Sequence, residues 1–323
     1  FGPINITVPR DRKNKFRNAL FEPYSRRTDT LESMIIKMYS KGITTREIAD
    51  LVERMYGDYY SPTTVSNITK QVGNLVEEFH DRTFKHSQYV CVFLDATYIP
   101  LKRGTVEREA VNIAIGIRSD GGKEVLDFSV APNENGEAWR ELLESLRNRG
   151  IEQVQLFIAD GFIGLENVIA EIYPTAKFQR CLVHVLRNLT SHVRKSDMRD
   201  LMSEFKEIRQ SESLEEAKQA LDNFILKWES KYSNQMRKLG KLNNLFTFYE
   251  FPPSIRASIY STNLIEAFNK KLKKKIRQKE QFPNEDALQR FVTTQILEYN
   301  DKFEERAHRG FRGSKDTLDS MFI

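Results

Sequence analysis

The spacing of hydrophobic residues changes twice along the chain, and this change limits the fold more than any other feature of the sequence. Residues 31–68 carry apolar side chains at the helical spacing i, i+3, i+4, i+7. An apolar run at 89–94 and alternating apolar residues over 111–130, interrupted by a hairpin turn at 120–122, are typical of β-strands. Helical spacing then returns, broken by one further buried strand at 154–159. The sequence therefore predicts an α/β fold in which three antiparallel strands lead into βα units.

Composition excludes several classes of protein. The 323 residues suffice for two or three domains, and 15 glycines and 10 prolines are too few for a collagen-like or wholly disordered chain. The longest apolar run stops at Asp95, short of the roughly 18 residues that a membrane helix needs, so we expect no membrane partner. Two cysteines, Cys91 and Cys181, cannot build a disulfide framework, which favours a reducing compartment. Because the first residue is Phe1 and not Met, we expect further residues before it.

The first 84 residues combine positive charge with short helices. Residues 10–17 hold five cations and one anion, which predicts an exposed basic arm. Two amphipathic helices follow, the second opened by a Thr44–Glu47 capping box, and Ser61 with Pro62 begins a third. This pattern resembles a helix-turn-helix unit, although an ordinary three-helix bundle has the same pattern. In a helix-turn-helix unit the last helix would contact DNA through Thr63, Thr64, Ser66, Asn67 and Lys70.

Two buried apolar runs each end in an aspartate, Asp95 and Asp160. If the two strands are parallel neighbours, the carboxylates emerge together at the edge where open α/β sheets place ligands. Hard oxygen ligands of this kind suit Mg²⁺ or Mn²⁺. The alternative is that each aspartate only ends a strand, with Asp160 capping the following helix.

Glu266 is the candidate for a third carboxylate. It borders the apolar stripe of a helix that begins near Asn263. Asn263 and Glu266 also have the spacing of an N-cap and its reciprocal partner, which would make Glu266 structural. Both interpretations stay open on spacing alone.

The same helix is strongly basic. Residues 270–279 contain seven cations and no anion. Like charges four residues apart, such as Lys270 and Lys274, destabilise a helix, so a polyanion is the expected partner. The alternative is a merely solvated face. The candidate DNA contacts in this part of the chain are Arg256, Lys270, Lys273, Lys274 and Arg277.

The pair Cys181 and His184 does not fit a structural zinc site, which needs four thiolate or imidazole ligands. We interpret His184 as a hydrogen-bonded histidine that follows a strand. The sequence contains no serine nucleophile elbow, phosphate-binding glycine loop or dinucleotide fingerprint.

Four segments, taken in order, resemble the Mutator-like transposases of bacterial insertion sequences, which are DDE polynucleotidyl transferases with an RNase H-like core. They are Phe93-Leu-Asp95-Ala-Thr, Ala159-Asp160-Gly161, Gln179-Arg-Cys181-Leu-Val-His184 and Thr262-Asn-Leu-Ile-Glu266-Ala-Phe-Asn-Lys270. The resemblance implies a catalytic, metal-holding triad of Asp95, Asp160 and Glu266, and a family signature at Cys181 and His184. It also implies an RNase H-like mixed sheet flanked by helices and interrupted by an all-helical insertion before Glu266.

The implied reaction is in-line attack at phosphorus with two Mg²⁺ or Mn²⁺ ions, Asp95 bridging both. Water would first cut a transposon end, and the freed 3′-hydroxyl would then attack a target strand. The implied partners are double-stranded DNA, as terminal inverted repeats and target, and a second copy of the chain in a twofold dimer. The implied location is the bacterial cytoplasm, at the nucleoid.

We therefore predict a DNA transposase. Two alternatives differ in function: an RNase H-like nuclease without strand transfer, and a non-catalytic helix-turn-helix DNA-binding protein whose acidic residues only cap helices. The predicted boundaries are a basic arm at 1–27, a helical DNA-binding region at 28–84, a first core part at 85–185, a helical insertion at 186–255 and a second core part at 256–323.

Overall fold

The computed structural model describes residues 29–56, 61–70 and 72–322, and the chain divides into two compact units. The first unit holds the described residues up to His80 together with Pro100–Glu107 and Leu272–Gln295. The second holds Asp81–Ile99, Arg108–Lys271 and the described residues from Ile296 onward. The predicted basic arm lies outside the described residues.

Short helices form the start of the first unit. They are α1 (Asp29–Ser40), α2 (Thr45–Tyr56), α3 (Pro62–Lys70) and α4 (Val72–Asp81). Helix α3 packs against α1 and α2. The predicted capping box of α2 is present, since the Glu47 carboxylate accepts from the Thr44 N–H at 2.9 Å and Thr44 Oγ1 accepts from the Glu47 N–H at 3.2 Å. Helix α4 adds to the three predicted helices, and its Val76 and Phe79 are buried.

A mixed five-stranded sheet forms the centre of the second unit. Its strands are β1 (Gln88–Lys102), β2 (Val106–Ile117), β3 (Lys123–Ala131), β4 (Gln153–Ala159) and β5 (Lys177–Arg180), in the order β3-β2-β1-β4-β5. Strand β4 runs parallel to β1 and to β5, whereas β2 and β3 are antiparallel. The predicted α/β class is therefore confirmed.

Two helices pack on the sheet and supply eight of the nineteen residues in one buried apolar cluster. They are α5 (Gly136–Asn148) and α6 (Leu165–Ile172). Asn135 caps α5, and its side chain accepts from the Ala138 N–H at 2.8 Å. The buried apolar side chains that these helices contribute are Trp139, Leu142, Leu143, Leu146, Leu165, Val168, Ile169 and Ile172.

A helical region follows β5. It contains α7 (Leu182–Thr190), α8 (Lys195–Gln210), α9 (Leu214–Leu239), a 3₁₀ turn at Thr247–Glu250 and α10 (Pro253–Ile259). The spacing of Ser213 and Glu216 predicts a capping box, and this box opens α9 in the structure. Helices α8 and α9 pack through Phe205 and Phe224, whose ring centroids are 5.7 Å apart. Residues 186–250, all within the described part of the chain, contain no strand, as predicted.

The last helices are α11 (Asn263–Ile276), α12 (Glu285–Phe303) and α13 (Lys315–Ser320). Helix α11 buries the predicted apolar stripe of Ile265, Phe268, Leu272 and Ile276. No helix within the described ranges is both long and apolar enough to cross a bilayer.

Replacing Leu143 by alanine tests the core that α5 forms on the sheet. Leu143 is fully buried, so Leu143→Ala should lower the free energy of unfolding by about 2 to 5 kcal/mol. The matched control is Leu226→Ala, because Leu226 on α9 is 71% exposed and its loss should change the value by no more than about 0.5 kcal/mol. Urea denaturation followed by circular dichroism gives both numbers, and equal effects of the two substitutions would contradict this packing.

Candidate active site

Asp95 and Asp160 lie side by side on neighbouring parallel strands. Strand β1 pairs with β4 in a register that places Phe93 opposite Ile158. Asp95 and Asp160 are each two residues beyond this pair, with Asp160 directly after the end of β4. Because adjacent strands are about 4.8 Å apart, the two carboxylates occupy one small region of the sheet edge.

The two aspartates differ in their position within the strands. Strand β4 ends at Ala159, so Asp160 follows a strand as predicted. Strand β1 instead continues through Asp95 to Lys102, because the buried side chains of Ile99 and Leu101 extend its alternating pattern. Asp95 therefore projects from within a strand and not from its end.

The Asp95 carboxyl is largely buried. Its pKa is raised to about 6, mainly by burial and to a smaller extent by the nearby charges of Asp160 and Glu266. One hydrogen bond opposes this shift, since Asn269 Nδ2 on α11 donates to Asp95 Oδ2 at 2.8 Å. The influence of both acidic neighbours on Asp95 shows that the three predicted carboxyls are close enough to interact.

Asp160 begins a tight loop and does not cap a helix. Its Oδ1 accepts from the Phe162 N–H at 3.1 Å. The N-cap of α6 is Gly164, four residues later. The structural interpretation of Asp160 as a helix cap is therefore wrong, and its carboxylate stays at the sheet edge.

Glu266 lies in the first turn of α11 and forms a bidentate ion pair with Arg187 of α7. Both Arg187 Nη atoms donate to its carboxylate at 2.9 Å. Burial raises the pKa of Glu266, but the hydrogen bonds and charge of Arg187 outweigh burial and hold it below its usual value. Asn263 is the first residue of α11, and the Glu266 N–H donates to the Thr262 carbonyl at 2.9 Å. The Glu266 carboxylate thus pairs with Arg187 and does not form a capping box with Asn263.

Cys181 connects the strand that leads to Asp160 with the helix that carries Glu266. Its N–H donates to the Ala159 carbonyl at 2.7 Å. Its Sγ accepts from the Thr262 N–H at 3.3 Å and from the Thr262 hydroxyl at 3.2 Å. Cys181 therefore links the residue before Asp160, through its backbone N–H, to a residue four positions before Glu266, through its side chain.

His184 extends this connection to the Glu266 carboxylate. Its Nδ1 is 3.3 Å from Thr262 Oγ1, and its Nε2 is 3.4 Å from Glu266 Oε1. The hydrogen bond with Cys181 raises the pKa of His184. Burial raises the pKa of the Cys181 thiol, but hydrogen bonds from His184 and Thr262 outweigh burial and lower it. The interpretation of His184 as a hydrogen-bonded histidine is confirmed.

Three residues near the candidate site were not identified from the sequence. Arg187 gave no signal, because its partner is 79 positions away. Asn269 is three residues after Glu266, a spacing that puts both on one helical face. Glu134 precedes α5 and accepts from Trp139 Nε1 at 3.0 Å. Burial raises the pKa of Glu134 to about 7, and the charges of Asp160 and Asp95 contribute, so a fourth carboxyl borders the site.

The carboxyls lie near one another, but they are not arranged as the ligands of a metal ion. Within residues 29–56, 61–70 and 72–322, no group of three or more His, Cys, Asp or Glu side chains is arranged to hold a metal ion. The ion pair with Arg187 gives a physical reason, since it already occupies both oxygens of Glu266.

The basic run of α11 divides into two faces. Lys270, Lys273, Lys274 and Arg277 are exposed, together with Lys271. Two other cations of the run turn inward. Lys275 donates to Gln295, and Lys279 donates to the Ile43 carbonyl at 3.1 Å and lies over the Tyr39 ring. Burial lowers the pKa of Lys279 to about 8. Five of the seven cations therefore form one exposed surface.

The other predicted DNA contacts differ in exposure. On α3, Thr63, Asn67 and Lys70 are exposed, whereas Thr64 and Ser66 are half-buried. The Thr64 N–H donates to Ser61 Oγ at 3.0 Å and so takes part in the start of the helix. Arg256 donates to the carbonyls of Phe251 and Tyr249, both at 2.8 Å. Its guanidinium is thus already engaged within the fold, and its contact with DNA stays a prediction.

The raised pKa of Asp95 predicts a stability effect that depends on pH. The folded state holds the Asp95 proton more tightly than the unfolded chain, so this group stabilises the fold below about pH 4, and the contribution is lost as pH rises through about 6. In metal-free buffer, Asp95→Asn should therefore raise the free energy of unfolding at pH 8 by on the order of 2 to 3 kcal/mol, and far less at pH 4. Urea titrations at both pH values measure this, with the exposed Asp222→Asn on α9 as control. No stabilisation at pH 8 would contradict the buried setting of Asp95.

Comparison with known proteins agrees with these motifs. The model of the family "Transposase, Mutator family" matches residues 1–306. The transposase for insertion sequence element IS905 of Lactococcus lactis subsp. lactis (strain IL1403) is 49% identical over 322 residues, which cover 100% of this chain and 82% of that protein. The transposase for IS1201 of Lactobacillus helveticus is 51% identical, over 93% of this chain and 81% of that protein. Among solved structures, the Drosophila P element transposase strand transfer complex aligns with 93% of this chain and 86% of that chain, at a TM-score of 0.37 and 11% identity, which is too distant to support a conclusion. The chain belongs to the Mutator family of transposases.

Proposed function

We propose that this transposase cuts DNA at the ends of an insertion sequence and joins the freed 3′-hydroxyl to a target strand by in-line phosphoryl transfer. Asp95, Asp160 and Glu266 are its catalytic carboxylates. The observation that carries this proposal is the β1–β4 register, which sets Asp95 beside Asp160, with Glu266 near enough to raise the pKa of Asp95. Family membership favours this function over a nuclease and over a non-catalytic DNA-binding protein.

The chemistry of the donor set fits two Mg²⁺ or Mn²⁺ ions. Carboxylate oxygens are the ligands these cations prefer, and Asp95, Asp160 and Glu266 would hold them. Burial is the main cause of the raised pKa values of Asp95 and Glu134, and the charges of neighbouring carboxylates add to it. A divalent cation bound beside them would favour their ionised forms. When bound, such ions would lower the pKa of the attacking hydroxyl and neutralise charge at the phosphate.

Arg187 has to release the Glu266 carboxylate before that carboxylate can bind a metal ion. Its side chain is 55% exposed, so its departure from Glu266 does not disturb the core. A guanidinium released beside the site would meet the negative charge of the DNA phosphate, which Arg binds with the same planar geometry as a carboxylate. The ion pair thus keeps Glu266 ionised and close by until DNA arrives.

Asn269 and Cys181 act as positioning residues in this proposal. The Asn269 amide orients Asp95 through its 2.8 Å hydrogen bond. Cys181 and His184, the family signature, hold the start of α11 to the end of β4 through Thr262. Their task is to fix the distance between Asp160 and Glu266.

We further propose that the sheet is an RNase H-like core. The order β3-β2-β1-β4-β5, with β1, β4 and β5 parallel, supports this. The domain boundaries follow as a proposal: a basic arm at 1–27, a DNA-binding region at 28–84, core parts at 85–185 and 256–323, and a helical insertion at 186–255.

Two surfaces are proposed to bind double-stranded DNA. One is the exposed basic face of α11, which includes Lys270, Lys273, Lys274 and Arg277. The other is α3, with Thr63, Asn67 and Lys70 exposed. Because two DNA ends are joined in one reaction, a twofold homodimer is the expected assembly, and the bacterial cytoplasm, where the nucleoid lies, is the expected location.

Conservative replacement of the three carboxylates tests the catalytic assignment. Asp95→Asn, Asp160→Asn and Glu266→Gln should each lower the cleavage rate by roughly three orders of magnitude or more, because each removes a metal-holding charge. The assay uses MgCl₂ and a duplex carrying the terminal repeat of the DNA element that encodes this chain, with gel detection of both cut ends and joined products. Asp222→Asn is the control and should behave as the unaltered protein. Cleavage without joined products would identify a nuclease, and full activity of any of the three variants would contradict the triad.

The salt dependence of DNA binding tests the basic face of α11. Replacing Lys270 and Lys274 together by glutamine should reduce the slope of log affinity against log salt by about 1.8, since each neutralised phosphate contributes about 0.9. The matched control replaces Lys227 and Lys231 on α9, which already pair with Glu204 and Asp197. Fluorescence anisotropy between 50 and 200 mM salt gives the slopes. An unchanged slope in the first variant would exclude this face as a DNA surface.

A further inference from the structure

The loop that follows Asp160 exposes an isoleucine directly beside the candidate active site. Ile163 is 93% exposed and is the most exposed large apolar side chain among the described residues. An isoleucine in this position contributes no buried area to folding. Because Ile163 is three residues after Asp160, a molecule bound at the candidate active site would lie close to this side chain.

The conformation of the loop holds Ile163 outward. Gly161 and Gly164 have φ values of +87° and +90°, which L side chains rarely adopt, so the chain turns sharply on both sides of Ile163. Phe162 packs against the core, and Arg180 Nη1 donates to the Gly161 carbonyl at 3.0 Å. Ile163 is therefore the outer point of a braced turn.

A cavity of about 310 Å³ is lined in part by Asp160 and Gly161, the first residues of the same loop. This volume falls near the lower end of the roughly 300–1,000 Å³ typical of ligand sites. Leu189 and Leu239 contribute to an apolar wall, while the amides of Asn188 and Gln235 and the ammonium group of Lys238 supply polar groups. Apolar walls with a few amides suit the faces and edges of a nucleobase, and the cation suits its phosphate.

We propose that Ile163 is a wedge that enters the base stack of the DNA next to the phosphate to be cut, and that the cavity beside Asp160 receives the displaced nucleotide. This inference rests on the proposed function, because the assignment of Asp160 as a catalytic carboxylate brings the phosphate to this loop. Apolar side chains that enter DNA between base steps unstack them, and enzymes that need access to a nucleotide move it into a pocket. Burial of Ile163 between bases compensates part of the lost stacking.

The experiment compares a paired DNA end with one that is already open. Both duplexes carry the terminal repeat of the element and 2-aminopurine beside the cut position, and in the second the base pairs there are replaced by mismatches. Ile163→Ala should lose most of the fluorescence increase on binding the paired end and cut it about tenfold more slowly, while cutting the mismatched end at the rate of the unaltered protein. Leu226→Ala, which also truncates an exposed aliphatic side chain, is the matched control on α9 and should change neither rate.

A second variant tests the cavity. Asn188 is exposed at its wall, so Asn188→Trp should close the cavity without altering the core. The displaced nucleotide would then have no site on either substrate, and cleavage of both ends should slow by about tenfold. Unchanged cleavage of both ends by Asn188→Trp would overturn the cavity's role.

The remaining outcomes separate the inference from the proposed function. Equal slowing of both ends by Ile163→Ala, or no slowing of the paired end, would overturn the wedge. A loss of dimer mass in Ile163→Ala, measured by light scattering, would overturn it in favour of contact with a second copy of the chain. If the unaltered protein cut neither end, the proposed function would fail, and the inference with it.

Discussion

The parallel pairing of β1 with β4 is the interaction on which the candidate site depends. It sets Asp95 opposite Asp160 in a partly buried region, where two negative charges oppose each other. Folding gains nothing from this arrangement, because burial and repulsion both raise the free energy of the ionised carboxyls. The apolar packing of α5 and α6 on the sheet offsets this unfavourable free energy and fixes the positions of the strands. A cluster of carboxylates that the fold holds together despite their mutual repulsion is characteristic of a functional site.

Glu266 reaches this cluster although it lies 106 positions after Asp160 in the chain. Among the intervening helices, α8 and α9 pack on each other through Phe205 and Phe224, and the end of the segment is bonded to β5 through Gln179 and Phe248. The contacts between Cys181, which precedes this segment, and Thr262, which follows it, join its two ends. A sulfur atom accepts both the backbone and the hydroxyl donor of Thr262, which explains why a buried cysteine suits this position. Arg187 then pairs with Glu266 and completes the connection.

Helix α11 combines the proposed chemistry and the proposed DNA surface in one element. Its first turns carry Glu266 and Asn269 toward the carboxyl cluster, and its later turns carry exposed lysines. The like charges destabilise the isolated helix by a few tenths of a kcal/mol per pair, and its buried apolar stripe offsets that cost.

The sequence by itself determined the α/β class, the capping boxes of α2 and α9, the apolar stripe of α11 and the family, because all of these depend on spacing over a few residues or on short motifs. It also singled out Asp95, Asp160 and Glu266, although it left open whether Asp160 and Glu266 were only helix caps. Only the tertiary structure decided that Arg187 holds Glu266, that Glu134 and Asn269 border the carboxyls, and that Lys275 and Lys279 turn away from the exposed basic face. The physical reason is that these features are contacts between residues brought together by packing, over separations of up to 236 positions in the case of Lys279 and Ile43. The local periodicity of the sequence carries no information about such partners. They meet only because the packing of the folded chain brings them together.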